Sequence, residues 1–178
     1  TYNYSIGDRT MTSIIKVNQI QNTAGTSALT IDSGGRVTKP QIPAFMAAYD
    51  TAWATVADQA VVPFNDAATG ALFNNGGHFN TSTNAFVAPV AGLYSFSVNI
   101  YTAQNDTVNA FGPFLNGSAV TLKGAGLYVQ QGEDAAFDSC ASFSFLLNLA
   151  VNDSVKIHAA TASDIYGQAS QFCGHLIG

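Results

Sequence analysis

Residues 74–96 read NNGGHFNTSTNAFVAPVAGLYSF, and they give the clearest indication of the fold. The first half of this stretch is rich in residues that form turns, and its last residues alternate between aromatic and small side chains, since Ser95 separates Tyr94 from Phe96. Side chains with this two-residue period point to opposite faces of a β-strand. Pro89 and Gly92 come just before the alternation, and both residue types shape turns and interrupt strands. The stretch therefore predicts a turn that leads into a long strand with an aromatic, core-facing side.

The same two-residue period continues over most of the chain. Phe143, Phe145, Leu147 and Leu149 form a second apolar stripe, which we expect to build the core of a sandwich together with the first. Residues 49–61, which include Trp53, hold the one possible helical pattern, and a loop or strand fits them equally well. The predicted strands of an all-β fold are residues 44–49, 60–64, 85–86, 92–102, 110–115, 119–122, 125–129, 141–149, 154–159 and 170–177.

The first forty residues form a separate part, which we predict to be an N-terminal β-arm. Three short alternating segments are separated by polar turns at residues 22–27 and 33–35, and Pro40 ends the last one. Strands this short cannot bury a core by themselves, so they need copies of the arm or another protein to cover their apolar side. The alternative is a flexible tail. The predicted docking residues are Ile15, Val17, Ile20, Leu29, Ile31 and Val37. The predicted domains are residues 1–40 and 41–178.

Charge separates the same two parts. Only 10% of the 178 residues are charged and the net charge is −5, which disfavours nucleic acid as a partner. Residues 1–40 carry four Lys and Arg against two acids, whereas residues 41–178 carry two Lys against nine acids. We infer that the two parts face different partners. No apolar run approaches the roughly 20 residues of a membrane helix, so membrane insertion is not expected, and no signal peptide is visible.

Residues 41–178, called the head, resemble the globular head of the complement/tumour-necrosis-factor superfamily. The signature of that family lies in residues 74–96. Its Asn, aromatic, Phe and Gly-x-Tyr-x-Phe positions fall at the spacing of that family, whereas Ala68 and Val98 depart from it. The closing segment, SQFCGHLIG at residues 170–178, is similar to the last strand of the family. The resemblance implies a ten-strand jelly-roll β-sandwich that assembles as a homotrimer. Its signature and core residues are Phe64, Phe79, Phe86, Gly92, Tyr94, Phe96, Phe143, Phe145, Leu147, Phe172 and Gly174.

The arm has a resemblance of its own. KVNQIQNTAG at residues 16–25 and LTIDSGGRV at residues 29–37 look like the start of structural proteins of bacteriophages, particularly those of marine bacteria and cyanobacteria. In those proteins such an arm precedes a variable head. The pairing of this arm with this head implies a virion protein, whose arm would dock to other capsid or tail proteins.

Residues with catalytic or metal-binding potential are sparse. Glycoside hydrolysis needs two carboxylates across a cleft, and the one acidic cluster is Glu133, Asp134 and Asp138 in a glycine-bounded loop. A solvated loop is the preferred interpretation, with a weak calcium site as the alternative. Cys140 and Cys173 have no CxxC spacing, so we favour free thiols over a disulfide and expect no zinc. No cofactor is predicted.

Together these features predict a non-enzymatic virion component. It would be a trimeric capsid decoration, head fibre or tail fibre, localised to the extracellular particle, which stabilises the particle or binds a host glycan or protein. One alternative is a secreted complement-like ligand-binding domain, although such heads usually follow a signal peptide and a collagen-like stretch. The other is a tailspike depolymerase, which the lack of paired cleft carboxylates disfavours.

Overall fold

The structure is a computed structural model that describes residues 15–103, 108–131 and 138–178. The chain divides into two compact units, Thr1–Gln41 and Ile42–Gly178. All regular elements of the described residues are β-strands, and none of these residues forms a helix long and apolar enough to cross a membrane.

The first unit contains a three-stranded antiparallel meander of β1 (Gln19–Gln21), β2 (Ser27–Ile31) and β3 (Val37–Thr38). Both of its turns are held by one side chain. Asn22 Oδ1 accepts hydrogen bonds from the backbone amides of Ala24 and Thr26 at 3.0 and 2.9 Å, and Asp32 Oδ1 accepts from those of Gly34 and Arg36, each at 2.9 Å. Short polar side chains that bond the backbone ahead of them favour such turns, which explains why these segments fold locally.

The second unit is built from two antiparallel sheets. The first, called the β9 sheet, has the strand order β15-β9-β17-β4-β6, and β5 pairs with β17. It contains β4 (Ala44–Ala48), β5 (Trp53–Val56), β6 (Phe73–Asn75), β9 (Gly92–Thr102), β15 (Ser139–Leu149) and β17 (Ser163–Leu176). The strands alternate between buried and accessible side chains, as in a sheet with one face on the core.

The second sheet, called the β10 sheet, has the order β11-β10-β16-β8-β7, and β14 pairs with β10. It contains β7 (Phe79–Asn80), β8 (Ala85–Val87), β10 (Asn109–Leu115), β11 (Ser118–Ala119), β14 (Val129–Gln131) and β16 (Ser154–Ala159), and a separate hairpin joins β12 (Thr121–Leu122) to β13 (Ala125–Gly126). The segment at Leu127 covers the side of β10 that faces away from the core, since a Cβ added at Gly112 would lie 2.5 Å from the Leu127 carbonyl oxygen.

One continuous hydrophobic core contains residues from both sheets. The β9 sheet contributes Tyr94, Phe96 and Phe172, and the β10 sheet contributes Phe86 and Phe111; each is at most 1% exposed. The two apolar stripes of the sequence are neighbours in one sheet rather than opposite walls, since Phe145 pairs with Phe96. The fold is therefore all-β, with the antiparallel sheets of a jelly roll.

The strands differ from the predicted set in number and in place. The ten predicted strands become fourteen among the described residues of the second unit, partly because 119–122 and 125–129 each divide in two. Residues 60–64 form no strand, although Val61 makes an isolated bridge with His158. Pro63 has no N–H to continue the ladder there. The helical alternative for residues 49–61 is wrong, since β5 lies within them.

Candidate functional site

The predicted signature residues lie in the aromatic centre of the second unit. Phe64, Phe79, Phe86, Tyr94, Phe96 and Phe172 are at most 2% exposed. Phe45, which the sequence analysis missed, stacks on Phe79 and Phe86 at centroid distances of 4.7 and 5.2 Å. On β15, Phe145 is buried, whereas Phe143 and Leu147 are half-buried beside the core. These side chains build the core of the sandwich, and among them Phe143 and Leu147 keep part of their surface accessible.

Gly174 lies where a side chain would collide with that centre. A Cβ at this position would be 2.5 Å from Phe96 Cδ1 and 2.9 Å from Phe45 Cε1. Gly92 has a similar role at the start of β9, where a Cβ would be 2.8 Å from Leu176 Cδ1. Both glycines allow close packing between β17 and its neighbours.

Two side-chain hydrogen bonds explain the asparagine of the signature. Asn74 Nδ2 donates to the carbonyl oxygen of Phe79 at 2.7 Å, and the amide of Phe79 donates to Asn74 Oδ1 at 3.0 Å. The intervening turn contains Gly76 and Gly77 with φ of 77° and 73°. Asn74 thus closes the loop that places Phe79 in the core.

The other face of the β9 sheet points away from the core. We call it the β9 face: the side chains of β15, β9, β17, β5, β4 and β6 that point away from the core. Register pairs Ser97 with Ser144 on one side and with Cys173 on the other, and Cys173 with Met46. The rows beside this one are Leu146–Ser95–His175–Ala44, Ser142–Asn99–Gln171–Ala48 and Cys140–Tyr101–Tyr166–Trp53.

The β9 face is uncharged over most of its length. Among the described residues between the rows of Leu93 and Tyr101, it carries no Lys, Arg, Asp or Glu. Serine, alanine and asparagine dominate its middle, and apolar side chains stand near one end, with Leu146 58% and Ile177 53% exposed. Two shallow concavities of about 300 and about 410 Å³ lie on it, the first beside Phe73 and Met46, the second around Ser97 and Asn99.

An aromatic row crosses the other end of this face, and sequence analysis did not identify it. Register aligns Trp53, Tyr166 and Tyr101 on three neighbouring strands. The indole centroid lies 5.1 Å from that of Tyr166 and 5.9 Å from that of Tyr101. The register of β17 against β9 is interrupted over the four residues between Tyr166 and Gln171, so no regular alternation in the sequence places Tyr166 beside Tyr101. The single tryptophan of the chain was a usable signal for the row.

The predicted docking residues of the first unit carry apolar surface that is accessible in the single chain. Ile15, Ile20 and Val37 are 85%, 50% and 57% exposed, and Val17 is also exposed. Leu29 and Ile31 on the middle strand are half-buried. The backbone amide of Arg36 donates to the Asp32 carboxylate, and the Arg36 side chain pairs with the same carboxylate at 2.7 Å; both interactions lower the pKa of Asp32.

Within the ranges that the structure describes, the remaining titratable groups do not converge. Glu133 and Asp134 of the calcium alternative lie outside the described residues, and Asp138 accepts a hydrogen bond from the Tyr101 hydroxyl at 3.2 Å. In the described ranges no group of three or more His, Cys, Asp or Glu side chains could hold a metal ion. Cys140 and Cys173 are free thiols, and burial raises the pKa of Cys173.

The three histidines lie in separate places. His158 stacks on Phe114 with centroids 3.7 Å apart on the β10 sheet, and its burial lowers its pKa. His175 is exposed on the β9 face, and His78 lies in the turn before β7, where its ring lies next to Gly76. In the described part of the chain, the three histidines therefore do not come together in one site.

Comparison with known proteins agrees with this architecture. A family model described as the C1q domain matches residues 44–177. Among solved structures, the globular domain of zebrafish complement 1qA is 20% identical, with a TM-score of 0.61 over 76% of this chain and 98% of that one. Eiger TNF from S. frugiperda is 12% identical, with a TM-score of 0.57 over 78% and 94%.

A third similar structure is murine APRIL at pH 5.0, which is 8% identical, with a TM-score of 0.59 over 76% of this chain and 99% of that one. At these identities the structural matches establish the fold alone. The comparison with curated protein sequences finds no match. Because the family model covers most of the chain, including the whole sandwich, the chain belongs to the C1q domain family.

Proposed function

We propose that this chain is a homotrimeric, non-enzymatic binding head that its N-terminal unit attaches to a bacteriophage particle. Domains of the C1q and TNF type are typically ligand-binding modules, and their homologues are typically homotrimers. The head would project from a capsid or tail, where it stabilises the particle or binds the host surface.

The main support for trimer assembly is the uncharged surface of the β9 face. The centres of interfaces between protein copies are depleted in charged residues. On this face serine, alanine and asparagine occupy the rows around Ser97, and Met46 and Phe73 add apolar surface at its β6 edge. Burying the rows of Ser95 and Ser97 desolvates no lysine, arginine or carboxylate side chain. An acid, Asp66, pairs with Ala48 at the edge of the Asn99 row.

The exposed side chains at the end of β9 nearest Gly92 support the same assignment. Leu93, Leu146 and Ile177 lie close together there, and each is more than one third exposed in the single chain. Apolar surface removed from water stabilises an association by roughly 25 cal/mol per Å² before the entropic cost of association is subtracted. A second and third copy would cover these side chains.

The virion role is supported by the first unit. Its segments resemble the arms of phage structural proteins, and residues 1–40 carry an excess of two positive charges in a chain with a net charge of −5. Its exposed apolar residues, among them Ile20 and Val37, offer a surface that a partner would cover. A docking arm and a displayed head would account for this opposite charge.

A matched pair of arginine substitutions tests the trimer. Ser97→Arg places a long cation in the middle of the β9 face, whereas Ser118→Arg places the same cation on the exposed edge strand β11 of the other sheet. Burying an unpaired charge costs several kcal/mol per copy, so Ser97→Arg should dissociate the assembly into folded monomers. Ser118→Arg should leave it intact. A Ser97→Arg protein that sediments like the unmodified chain would refute this interface.

A labelling experiment tests the virion role. Antibody raised against the head should decorate intact phage particles at the capsid or tail in electron micrographs. Deleting residues 1–40 should leave a folded head that no longer associates with particles. Label confined to protein secreted by cells, with unlabelled particles, would overturn the virion assignment.

A further inference from the structure

The outer face of the β10 sheet lies on the opposite side of the sandwich from the β9 face, so the proposed assembly leaves it open. We call it the β10 face: the side chains of β10, β16 and β8 that point away from the core, together with Leu127 and Tyr128, which pack on them. Along β16, Val155 and Ile157 are buried, whereas Lys156 and His158 are partly exposed. Both of these polar side chains therefore project onto the β10 face.

Aromatic rings surround the two polar side chains. Register pairs Lys156 with Phe114 and His158 with Gly112. The Phe114 ring stacks on the imidazole, with centroids 3.7 Å apart and an angle of 12° between the planes. A Cβ added at Gly112 would lie 3.2 Å from the Cβ of Tyr128, so the Tyr128 side chain starts above Gly112, beside His158, and it is 54% exposed. The β10 face thus gathers a lysine, a histidine and two further rings.

The positive charge of Lys156 is not neutralised within the described part of the chain. Residues 41–178 contain two lysines and no arginine against nine acids, yet Lys156 forms no ion pair with a described residue. Two carboxylates on adjoining segments accept hydrogen bonds from other groups. Asp58 accepts from the Gln59 side chain at 3.2 Å, and Asp153 accepts from two donors at 2.7 and 2.8 Å. A cation without an acidic partner is available to an anion.

The histidine is oriented by the backbone. His158 Nδ1 lies 2.9 Å from the carbonyl oxygen of Gln59. A carbonyl oxygen only accepts, so Nδ1 carries the hydrogen, and Nε2 is the nitrogen that gains a proton when the ring becomes charged. No hydrogen bond from a described residue reaches Nε2. Protonated His158 would therefore add a second donor and a second positive charge beside Lys156.

Charge and shape together select the ligand. Among the described residues of the β10 face, Lys156 supplies the one permanent positive charge. A carboxylate balances it, whereas a phosphate monoester carries close to two negative charges and would be repelled by a head rich in acids. The exposed Tyr128 ring offers a flat apolar surface that suits the C–H face of a sugar ring. A uronic acid combines a single carboxylate with such a ring.

We propose that Lys156, His158, Phe114 and Tyr128 form a binding site for a uronic acid unit of a glycan, whose carboxylate pairs with Lys156 and whose ring packs on Tyr128. This proposal rests on the proposed binding function and gives it a ligand class. A trimer assembled through the β9 face would display three such sites, so a polysaccharide with repeated acidic units could engage more than one of them and bind more tightly than a single unit.

Matched ligands test the site in the full-length protein. Oligomers of galacturonic, glucuronic and mannuronic acid are titrated by calorimetry at about pH 5.5, with the methyl esters of the same oligomers as neutral counterparts. At least one acidic oligomer should bind with saturation, and its methyl ester should not. Failure of all three acidic oligomers would overturn the proposal. Displacement by an equal concentration of inorganic sulfate would show a site for small anions and would overturn the glycan as ligand.

The pH dependence of binding identifies the role of His158. Burial and then the charge of Lys156 lower the pKa of His158 from its ordinary value of 6.5. Binding should therefore strengthen as the pH falls through this pKa, and a bound carboxylate should raise it. The other titratable groups around the ring are Lys156 on β16, Tyr128 above β10 and Asp58 in the adjoining segment, and histidine is the type that changes charge between about pH 5 and 8. His158→Phe keeps a ring against Phe114 and should remove the pH dependence.

Two lysine substitutions with the same change in charge locate the binding. Lys156→Gln should weaken it by about ten-fold or more, because a charge-assisted hydrogen bond is lost. Lys39→Gln removes an exposed lysine of the first unit and should bind normally. Tyr128→Ala should weaken binding without changing its pH dependence. Equal loss in Lys156→Gln and Lys39→Gln would show that binding follows net charge alone and would refute the site.

Oligomeric state separates this proposal from the trimer. All residues of the site belong to one copy, so Ser97→Arg should bind a single uronic acid unit with unchanged affinity per copy. A trimer that binds none of the acidic oligomers would overturn the uronic acid site alone. An unmodified chain that is monomeric and still binds through Lys156 would overturn the trimer and leave the site standing.

Discussion

Replacing Gly174 by alanine gives the sharpest test of how the core is packed. The new methyl group would lie 2.5 Å from Phe96 Cδ1, 2.7 Å from Phe96 Cε1 and 2.9 Å from Phe45 Cε1. Both rings are 1% exposed and are held by further rings, since Phe96 stacks on Phe145 at 5.2 Å and Phe45 on Phe79 at 4.7 Å. Neither ring can move aside without disturbing its neighbour, so the collision becomes strain in the core.

The size of the effect follows from two opposing contributions. Overpacking a core by a methyl group costs about 1–3 kcal/mol, and contacts this short place Gly174→Ala near the upper end. Alanine also restricts the unfolded chain, which returns about 0.4–1 kcal/mol because Gly174 has no positive φ. We therefore expect the free energy of unfolding to fall by about 2 kcal/mol.

Urea unfolding of the full-length protein measures this change at one fixed protein concentration, because assembly makes stability depend on concentration. Gly126→Ala is the control, since its Cβ would be 3.5 Å from the nearest atom, a ring carbon of Tyr128, which is ordinary contact. Adding Phe96→Leu to Gly174→Ala should cost less than the sum of the single changes. Equal stability of Gly174→Ala and Gly126→Ala would refute the packing described for β17.

Two further predictions concern hydrogen bonds. Asn74→Ala should lower the free energy of unfolding by about 1–3 kcal/mol in urea titrations, because the Phe79 amide and carbonyl lose their partners; an unchanged midpoint would contradict that role. Asn116 donates a hydrogen bond to Asp153 at 2.7 Å and thereby lowers the pKa of Asp153. The stabilisation from this hydrogen bond is therefore present above the pKa of Asp153 in the unfolded chain, 3.8, and disappears as the pH falls through the pKa of the folded chain. Asn116→Ala should therefore be less stable than the unmodified chain at neutral pH, with a smaller difference in acid; thermal unfolding across pH checks this, and a gap that widens in acid would be contrary evidence.

The sheet strands with a strict two-residue period could be predicted from sequence. The central strand Gly92–Thr102 and Ser154–Ala159 have the expected bounds, since alternation continues without a break through each of them. The last strand begins at Ser163 rather than 170, because the register between Tyr166 and Gln171 is interrupted. Gly167 lies within this interruption, where a Cβ would be 2.6 Å from the Tyr49 carbonyl oxygen, so the irregular path depends on a distant loop.

The candidate surfaces were harder to predict than the core. Buried core residues such as Phe86 and Tyr94 can be recognised in the sequence by their residue type and their two-residue spacing. The β9 face depends on strand order, which brings Ser97, Ser144 and Cys173 into one row from three distant segments. The aromatic row likewise needs the pairing of β5 with β17, and no local pattern encodes that pairing.

The native mass of the full-length chain distinguishes a trimer from a monomer. Native mass spectrometry at micromolar concentration should show one dominant species containing three copies of the 18.6 kDa chain. Trimer formation through the β9 face predicts this mass for the unmodified protein and for Ser118→Arg, and the mass of one copy for Ser97→Arg. A stable monomer of the unmodified chain would contradict the account.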